Sequence, residues 1–313
     1  MAALPAYVAR RVVAALGVLL AISLLAFALL AITPGDPAYL LLQAAGRQPI
    51  TVQDLAAKRA ELHLDDPLPL RYLSWLGGAL HGDFGRSFRS YTPVAELYLQ
   101  RIGNTALLAG AALGLGLLVA VPLGALAAYS RGGAFDWLAQ AVAVVGAAVP
   151  GFWIGLVLIY VLAVQWHLLP VFGAPTPRGI IMPAVVLSLG TIAVTVRLVR
   201  ATVLDVTSQE FIQVARAKGL GEATIARRHV LPNVLVPLLT LLGLEAASLL
   251  TGAVVVESVF AWPGIGKLAV DAALLRDTPV VVGFAIAAGV VYVLATLAVD
   301  LVVAAVDPRT VAR

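Results

Sequence analysis

The sequence contains no cysteine, so neither a disulfide framework nor a thiolate metal site is available to it. Charge is also scarce: Asp, Glu, Lys and Arg make up 12% of the 313 residues, while 61% are hydrophobic and the mean hydropathy is +0.98. One soluble core could not bury that much apolar surface, so the solvent for most of this chain is lipid. Histidine is limited to His63, His81, His167 and His229, with no two at helix-ligand spacing, and no metal site is expected. All four lie outside the apolar runs, and no Gly-x-Ser-Gly occurs. An intramembrane protease needs a nucleophile and a base within the bilayer, so that class is excluded. The formal charge of +4 comes with no aromatic-interleaved basic patch and no nucleic-acid motif, and no nucleic-acid partner is expected.

What the chain does have is long apolar runs. The first, Val12 to Ile32, is interrupted only by Ser23. At about 1.5 Å per residue it crosses a hydrocarbon core of roughly 30 Å. Arg10 and Arg11 before it and Ala26-Phe27-Ala28 within it imitate a signal peptide. Signal h-regions run only about 7 to 15 residues, so a retained anchor is expected. Five further runs follow, at Thr105 to Ala128, Trp137 to Val164, Ile180 to Val196, Leu235 to Val256 and Val280 to Val306. Pro122 and Pro150 predict kinks in two of them. Arg10, Arg11, Arg131, Arg197, Arg200, Arg216, Lys218, Arg227, Arg228, Arg309 and Arg313 fall on one side of these spans. The short loops opposite hold only Arg178, Lys267 and Arg276, which makes both termini cytoplasmic. The expectation is an all-α polytopic membrane protein with six transmembrane helices. Residues 1–32 form the cytoplasmic N-terminus and first span, 33–100 an extracytoplasmic helical segment, and 101–313 a five-helix core with a cytoplasmic loop at 204–234.

That loop contains "ARAKGLGEATIARRHVLPN", Ala215 to Asn233, a polar and basic stretch in an otherwise apolar chain. Thr207-Ser208-Gln209-Glu210 fits a capping box with Thr207 as N-cap, predicting a helix from about Ser208, with Gly219 as its stop. Phe211, Val214, Ala215 and Lys218 then share a face, and a second short helix should run from Glu222 until Pro232 interrupts it. On spacing alone, this helix-turn-helix loop fits a lipid-headgroup surface as well as a protein contact.

The pattern resembles the loop of bacterial ATP-binding-cassette importer permeases. Their signature runs Glu-Ala-Ala, three free positions, Gly, nine free positions, Ile, one free position, Leu-Pro. Aligned on Gly219, Leu231 and Pro232 fall in place, whereas Gln213, Val214 and Ala215 stand at the Glu-Ala-Ala positions and His229 at the Ile position. Those departures are similar to one branch, the dipeptide, oligopeptide and nickel permeases, in which the run Ala215-Arg216-Ala217-Lys218-Gly219-Leu220 and the pair Arg228-His229 are characteristic. "PGDP" at Pro34 to Pro37, "GDFGRSF" at Gly82 to Phe88, "VFAWPGIGKL" at Val259 to Leu268, "RDTPVV" at Arg276 to Val281 and "DPR" at Asp307 to Arg309 extend the likeness over nearly the whole chain.

The resemblance implies a multi-pass protein of the bacterial inner membrane whose loop couples to two cytoplasmic ATPase subunits. Phe211, Val214 and Ile225 would anchor the loop, and Arg216, Lys218, Arg227 and Arg228 would steer it. It also implies a second homologous permease in a heterodimer, an extracytoplasmic substrate-binding protein, and cargo such as a dipeptide, an oligopeptide, a nickel chelate or a glutathione-like molecule. ATP and Mg would belong to the ATPase partners. In this chain the near miss "AWPGIGKL" has Ala261 where a phosphate loop needs Gly, and Leu268 where it needs Ser or Thr. Trp262-Pro263-Gly264 reads instead as a tight turn, with Trp262 near the membrane interface. The alternative class is a secondary transporter or channel, against which stands the lack of an evident inverted repeat.

Glu245 sits near the middle of the fifth run, where an acidic side chain costs roughly 2.5 to 3.5 kcal/mol on insertion scales for Asp. It should face protein or water, either on a translocation path where it attracts a cationic group or as a hydrogen-bonded carboxyl packed between helices. Glu257 and Asp300, nearer span ends, suit solvated or structural roles. Gly110-x-x-x-Gly114, Gly151-x-x-x-Gly155 and Gly243-x-x-x-Ala247 suit close helix packing within the chain or in a dimer. In the outer segment, Thr51-x-x-Asp54 opens a helix ending near His63 with Val52, Leu55, Ala56 and Leu62 on one face. A second helix spans Pro69 to Leu80 with Tyr72, Leu73, Trp75 and Leu76 as its apolar surface. This segment would dock the binding protein, cover the outer mouth of the path, or cap the bundle.

Overall fold

The computed structural model describes residues 3–306, and every regular element among them is helical. The Asp-Pro-Arg motif, Arg313 and the C-terminus assigned to the cytoplasm lie outside the described residues, as do the side chains of Ala247 and Asp300. The order is α1 (Ala3–Ile32), α2 (Pro37–Ala44), α3 (Val52–Glu61), α4 (Leu68–Leu80), α5 (Val94–Tyr129), α6 (Ala134–Ala148) and α7 (Gly151–Leu158), which a π-helical stretch, Ile159–Gln165, prolongs. Then come α8 (Ile181–Thr207), α9 (Glu210–Ala217), α10 (Glu222–Ile225), a π turn (Ala226–Val230), α11 (Leu231–Val259), α12 (Ile265–Leu274) and α13 (Thr278–Val306).

Five helical segments are long and apolar enough to cross a membrane: Ala9–Ile32, Val94–Tyr129, Ile181–Thr207, Glu222–Gly243 and Thr278–Val299. The expected third run is not a kinked span but a broken one. α6 and the prolonged α7 meet at 103°, and they make a sixth crossing only if taken together. Val149 is extended (φ −93°, ψ 125°) and Pro150 caps α7, because a residue before proline is driven out of the α region. At Pro122, by contrast, α5 continues through the proline. α5 also begins well before the expected span, so residues 94–100 are part of a long helix.

The described chain divides into two compact units. The first holds residues 106–262 with 3–11 and 294–306. Its centre is α8, whose most apolar stretch is 61% buried against 22% for that of α5, with α6, α7 and α11 packed around it. Close approach is achieved with glycine. A Cβ on Gly124 would stand 2.8 Å from the Val196 carbonyl oxygen, and one on Gly146 would stand 2.8 Å from that of Leu189. Gly155 meets Phe260 and Val259, and Gly243 meets Val299, so these two of the expected small-residue positions pack within the chain. Gly110 and Gly114 have nothing within 4 Å.

The second unit holds residues 12–105 and 263–293. Ser23, the polar interruption in the first apolar run, hydrogen-bonds the Tyr72 hydroxyl at 2.8 Å, and Phe27 packs on the rings of Tyr72 and Trp75. The "PGDP" turn is a helix start: Asp36 accepts from the Ala38 N–H and Pro37 takes the first position of α2, where its missing N–H costs nothing. The Thr51/Asp54 capping box forms as expected. The Thr51 hydroxyl and N–H, with Arg47 beyond, hold the Asp54 carboxyl below its ordinary range. The face of α3 differs from the expected one, since Val52 and Ala56 are exposed while Leu55 and Leu62 are half-buried beside Lys58 and Arg59. Arg59 instead ties the segment together through ion pairs with Asp36 and Asp65. On α4, Tyr72, Trp75 and Leu76 are half-buried and Leu73 is exposed.

Adding one methyl group separates these environments. Gly124→Ala lowers stability by about 1 to 3 kcal/mol through overpacking against α8. Gly114→Ala leaves it unchanged or raises it by up to about 1 kcal/mol through helix propensity. Thermal unfolding of the detergent-solubilised protein reads both.

Candidate functional site

The polar loop is helical and packed against the helices on either side of it. α8 runs through Thr207, whose hydroxyl donates to the Val203 and Leu204 carbonyls. The expected capping box is therefore absent, Gln209 is the N-cap of α9, and no side chain caps it. The end of α9 follows the expectation. Gly219 adopts φ +78°, its N–H donates to the Arg216 carbonyl at 2.9 Å, and the Leu220 N–H donates to Ala215 at 3.2 Å. This is a Schellman closure, which only a residue at ease with positive φ completes cheaply. Pro232 does not interrupt the second helix. The π turn of Arg227, Arg228 and His229 leads directly into α11, where Pro232 occupies the first turn and no donor is needed.

Burial divides the loop residues. Ile212 and Ile225 are 0% exposed and pack with Ala215, Val199, Val203, Val230 and Val234. Ile225 and Ala215 are thus turned inward, and Ile225 does not offer the anchor expected of it. Phe211 is 47% and Val214 51% exposed, with Leu220, Lys218, Arg227 and Arg228 also at the surface. Phe211 lies 6.2 Å from the His229 ring. Arg216 is committed internally: its guanidinium forms two hydrogen bonds to Glu222, at 2.7 and 3.2 Å, and that carboxylate raises its pKa above the ordinary value. A surface cleft of about 610 Å³, lined by Tyr129, Arg131, Thr207, Ser208 and Arg216, lies beside the loop.

Behind the loop, Arg200 and Asp136 form a pair that sequence reading missed, having counted Arg200 only as a topology signal. The guanidinium holds both carboxylate oxygens at 2.8 and 2.9 Å, and the Gly132 N–H and Gln140 donate to the same carboxylate. Asp136 near the start of an apolar run was the available clue.

Glu245, midway along α11, is 9% exposed and accepts a hydrogen bond from the Thr191 hydroxyl at 2.9 Å. It lines a cavity of about 330 Å³ between the α6–α7 break, α8 and α11. Glu257 is fully buried, which removes the solvated role and keeps the structural one. Trp262 is also fully buried and packed with Phe260, and its backbone N–H donates to the Glu257 carbonyl at 2.8 Å. The turn falls earlier than expected, at Phe260 and Ala261, and Gly264 caps α12, which the sequence reading did not anticipate.

In the second unit, two segments far apart in sequence meet. Asp277 of "RDTPVV" is buried and accepts from the Ser87 hydroxyl and, at 2.9 Å, from the Phe88 N–H of "GDFGRSF". The Tyr98 hydroxyl donates to the Val280 carbonyl at 2.7 Å beside them. The Asn104 amide donates to the Pro263 carbonyl, and the Ile265 N–H donates to the Thr105 hydroxyl, both at 2.9 Å.

The chain thus has several helices long and apolar enough to cross a membrane, with a basic helical loop between two of them. Residues 120–312 match the family model described as binding-protein-dependent transport system inner membrane component, and residues 4–109 match the model of that component's N-terminal region. The chain belongs to this family of transport-system membrane components. It is 38% identical to the oligopeptide transport system permease protein AppB of Bacillus subtilis (strain 168), over 97% of this chain and 98% of that protein. It is 34% identical to the dipeptide transport system permease protein DppB of Escherichia coli (strain K12), over the same shares of each chain. Among solved structures, an inward-facing form of the MetNI methionine ABC transporter shares the fold at a TM-score of 0.53 and 20% identity, covering 67% of this chain and 96% of that one.

Asp277→Ala removes two hydrogen bonds to a buried carboxylate and strands the Phe88 N–H. It lowers stability by on the order of 2 to 3 kcal/mol. Thermal unfolding and limited proteolysis within residues 84–93 measure the loss.

Proposed function

We propose that this protein is the permease subunit of an ATP-driven importer for dipeptides or oligopeptides, working by alternating access in a bacterial inner membrane. The peptide cargo is supported by the relatives, which are dipeptide and oligopeptide permeases at 34% and 38% identity over nearly their whole length. A second homologous permease completes the path, an extracytoplasmic binding protein delivers cargo, and two cytoplasmic ATPase subunits bind ATP and Mg and hydrolyse the nucleotide. The basic-residue asymmetry supports cytoplasmic termini, an outer location for 33–100, and a five-helix core at 101–313 with its coupling loop at 204–234.

The observation that carries the coupling assignment is the division of the loop into a buried root and an exposed tip. Ile212, Ala215 and Ile225 root it on α8 and α11, while Phe211, Val214 and Leu220 are exposed apolar side chains on a loop that also exposes Lys218, Arg227 and Arg228. Exposed apolar and cationic side chains together suit a groove on an ATPase surface. A rooted element carries rigid-body displacement into the helices it is packed on.

The test is purification of the tagged chain in mild detergent from its native membrane. Wild type brings down two ATPase subunits and a second permease. Phe211→Asp with Arg228→Glu loses the ATPases at least about tenfold and keeps the second permease. Recovery of the chain alone or as a homo-oligomer, or ATPase recovery unaffected by the double variant, contradicts the assignment.

A further inference from the structure

The cavity at the α6–α7 break joins an unusual set of neighbours. Its side-chain walls are apolar, from Val149, Phe152, Leu187, Leu249 and Val256, and the polar side chains that line it are Thr191, Glu245 and Ser248. Gly146, Gly151, Gly190 and Gly252 also line it, so backbone rather than side chain bounds much of the space. Its volume of about 330 Å³ is at the lower end of small-molecule sites, which run from roughly 300 to 1,000 Å³, and far exceeds the roughly 30 Å³ share of one water.

The carboxyl that faces this space is under-matched. Glu245 is 9% exposed and its hydrogen bond within the described structure comes from the Thr191 hydroxyl. Among the described residues no Lys, Arg or His forms an ion pair with it, in contrast to Asp136, which Arg200 holds through both oxygens. A buried carboxylate is stabilised by a cation that also donates hydrogen bonds. A bound carboxylate or an apolar molecule would leave it without that partner.

We propose that this cavity is a subsite for the primary amine of the cargo, with the ammonium on Glu245 and the adjoining apolar part of the cargo against Val149, Phe152, Leu187 and Val256. The Thr191 hydroxyl fixes the orientation of the carboxylate and leaves its remaining acceptor positions to the ligand. The cavity lies where the α6–α7 path breaks at Pro150, so movement of α7 against α8 would change its width. The inference rests on the importer reading and assigns which end of a peptide this chain recognises.

The test uses the assembled importer, solubilised without its binding protein, in equilibrium dialysis against labelled dialanine and against N-propionyl-alanine, which has the same shape without the amine. Wild type retains dialanine at least about tenfold better than the analogue. E245Q lowers dialanine to the analogue's level, Glu245→Asp restores part of the difference, and Thr191→Val weakens retention several-fold while keeping the carboxylate. Equal retention of the two compounds by wild type, or dialanine retained equally by E245Q, overturns the proposal. Uptake into vesicles in the presence of the binding protein separates this from the wider reading. ATP-dependent dialanine uptake without amine discrimination in dialysis sinks the subsite alone, whereas absence of uptake by wild type sinks the peptide reading and the subsite with it.

Discussion

The first unit depends on how closely other backbones can approach α8. In lipid, apolar side chains gain nothing by leaving the solvent, so helix association relies on contact and on polar pairs. Gly124 and Gly146 bring α5 and α6 onto α8 at distances a Cβ would not permit. At that range the Asp136–Arg200 and Thr191–Glu245 pairs connect α8 to α6 and α11 through groups that have few other places to go. The loop following α8 is held by the same helices, because Ile212, Ala215 and Ile225 pack on Val199 and Val203 of α8 and on Val234 of α11.

That arrangement explains how a small, exposed element could govern a large one. The tip of the loop consists of a few side chains, and nothing about Phe211 or Arg228 is unusual in isolation. What distinguishes them is how the chain beneath is held, by the Schellman closure at Gly219 between α9 and α10 and by the unbroken path from the π turn into α11. Under the proposed coupling, a partner that shifts the tip would shift α8 and α11, the helices that carry Thr191 and Glu245. In the second unit, Asp277 plays a comparable organising part by joining two motifs whose separation in sequence hides their contact.

Much of this was legible in the sequence because its signals are local. Apolar runs long enough to span, the Thr51/Asp54 capping box, Gly219 as a helix stop and the spacing from Gly219 to Pro232 each need only a few neighbouring residues. The misreadings share a different cause. Thr207 could cap a new helix or bond back within the old one, and only the continuation of α8 decided it. Pro232 breaks a helix in its interior but not in its first turn, and the π turn that moved it there has no simple sequence mark. Whether Ile225 and Trp262 face outward depends on tertiary partners, as does the pairing of Arg200 with Asp136. α2 could have been found, since Asp36-Pro37 before an apolar run is a helix start as well as a turn.

The exposed tip of the α9 loop is proposed to touch an ATPase subunit, and the cysteine-free chain permits a direct measurement. Single cysteines are introduced as Phe211→Cys and, in the segment proposed to lie outside the membrane, as Val52→Cys at a position 85% exposed. Each is then treated with a short thiol cross-linker in native membranes. The account predicts that Phe211→Cys cross-links to an ATPase subunit and that Val52→Cys does not. Cross-linking of the ATPase to Val52→Cys, or modification of Phe211→Cys by a membrane-impermeant thiol reagent from the extracytoplasmic side, would contradict it.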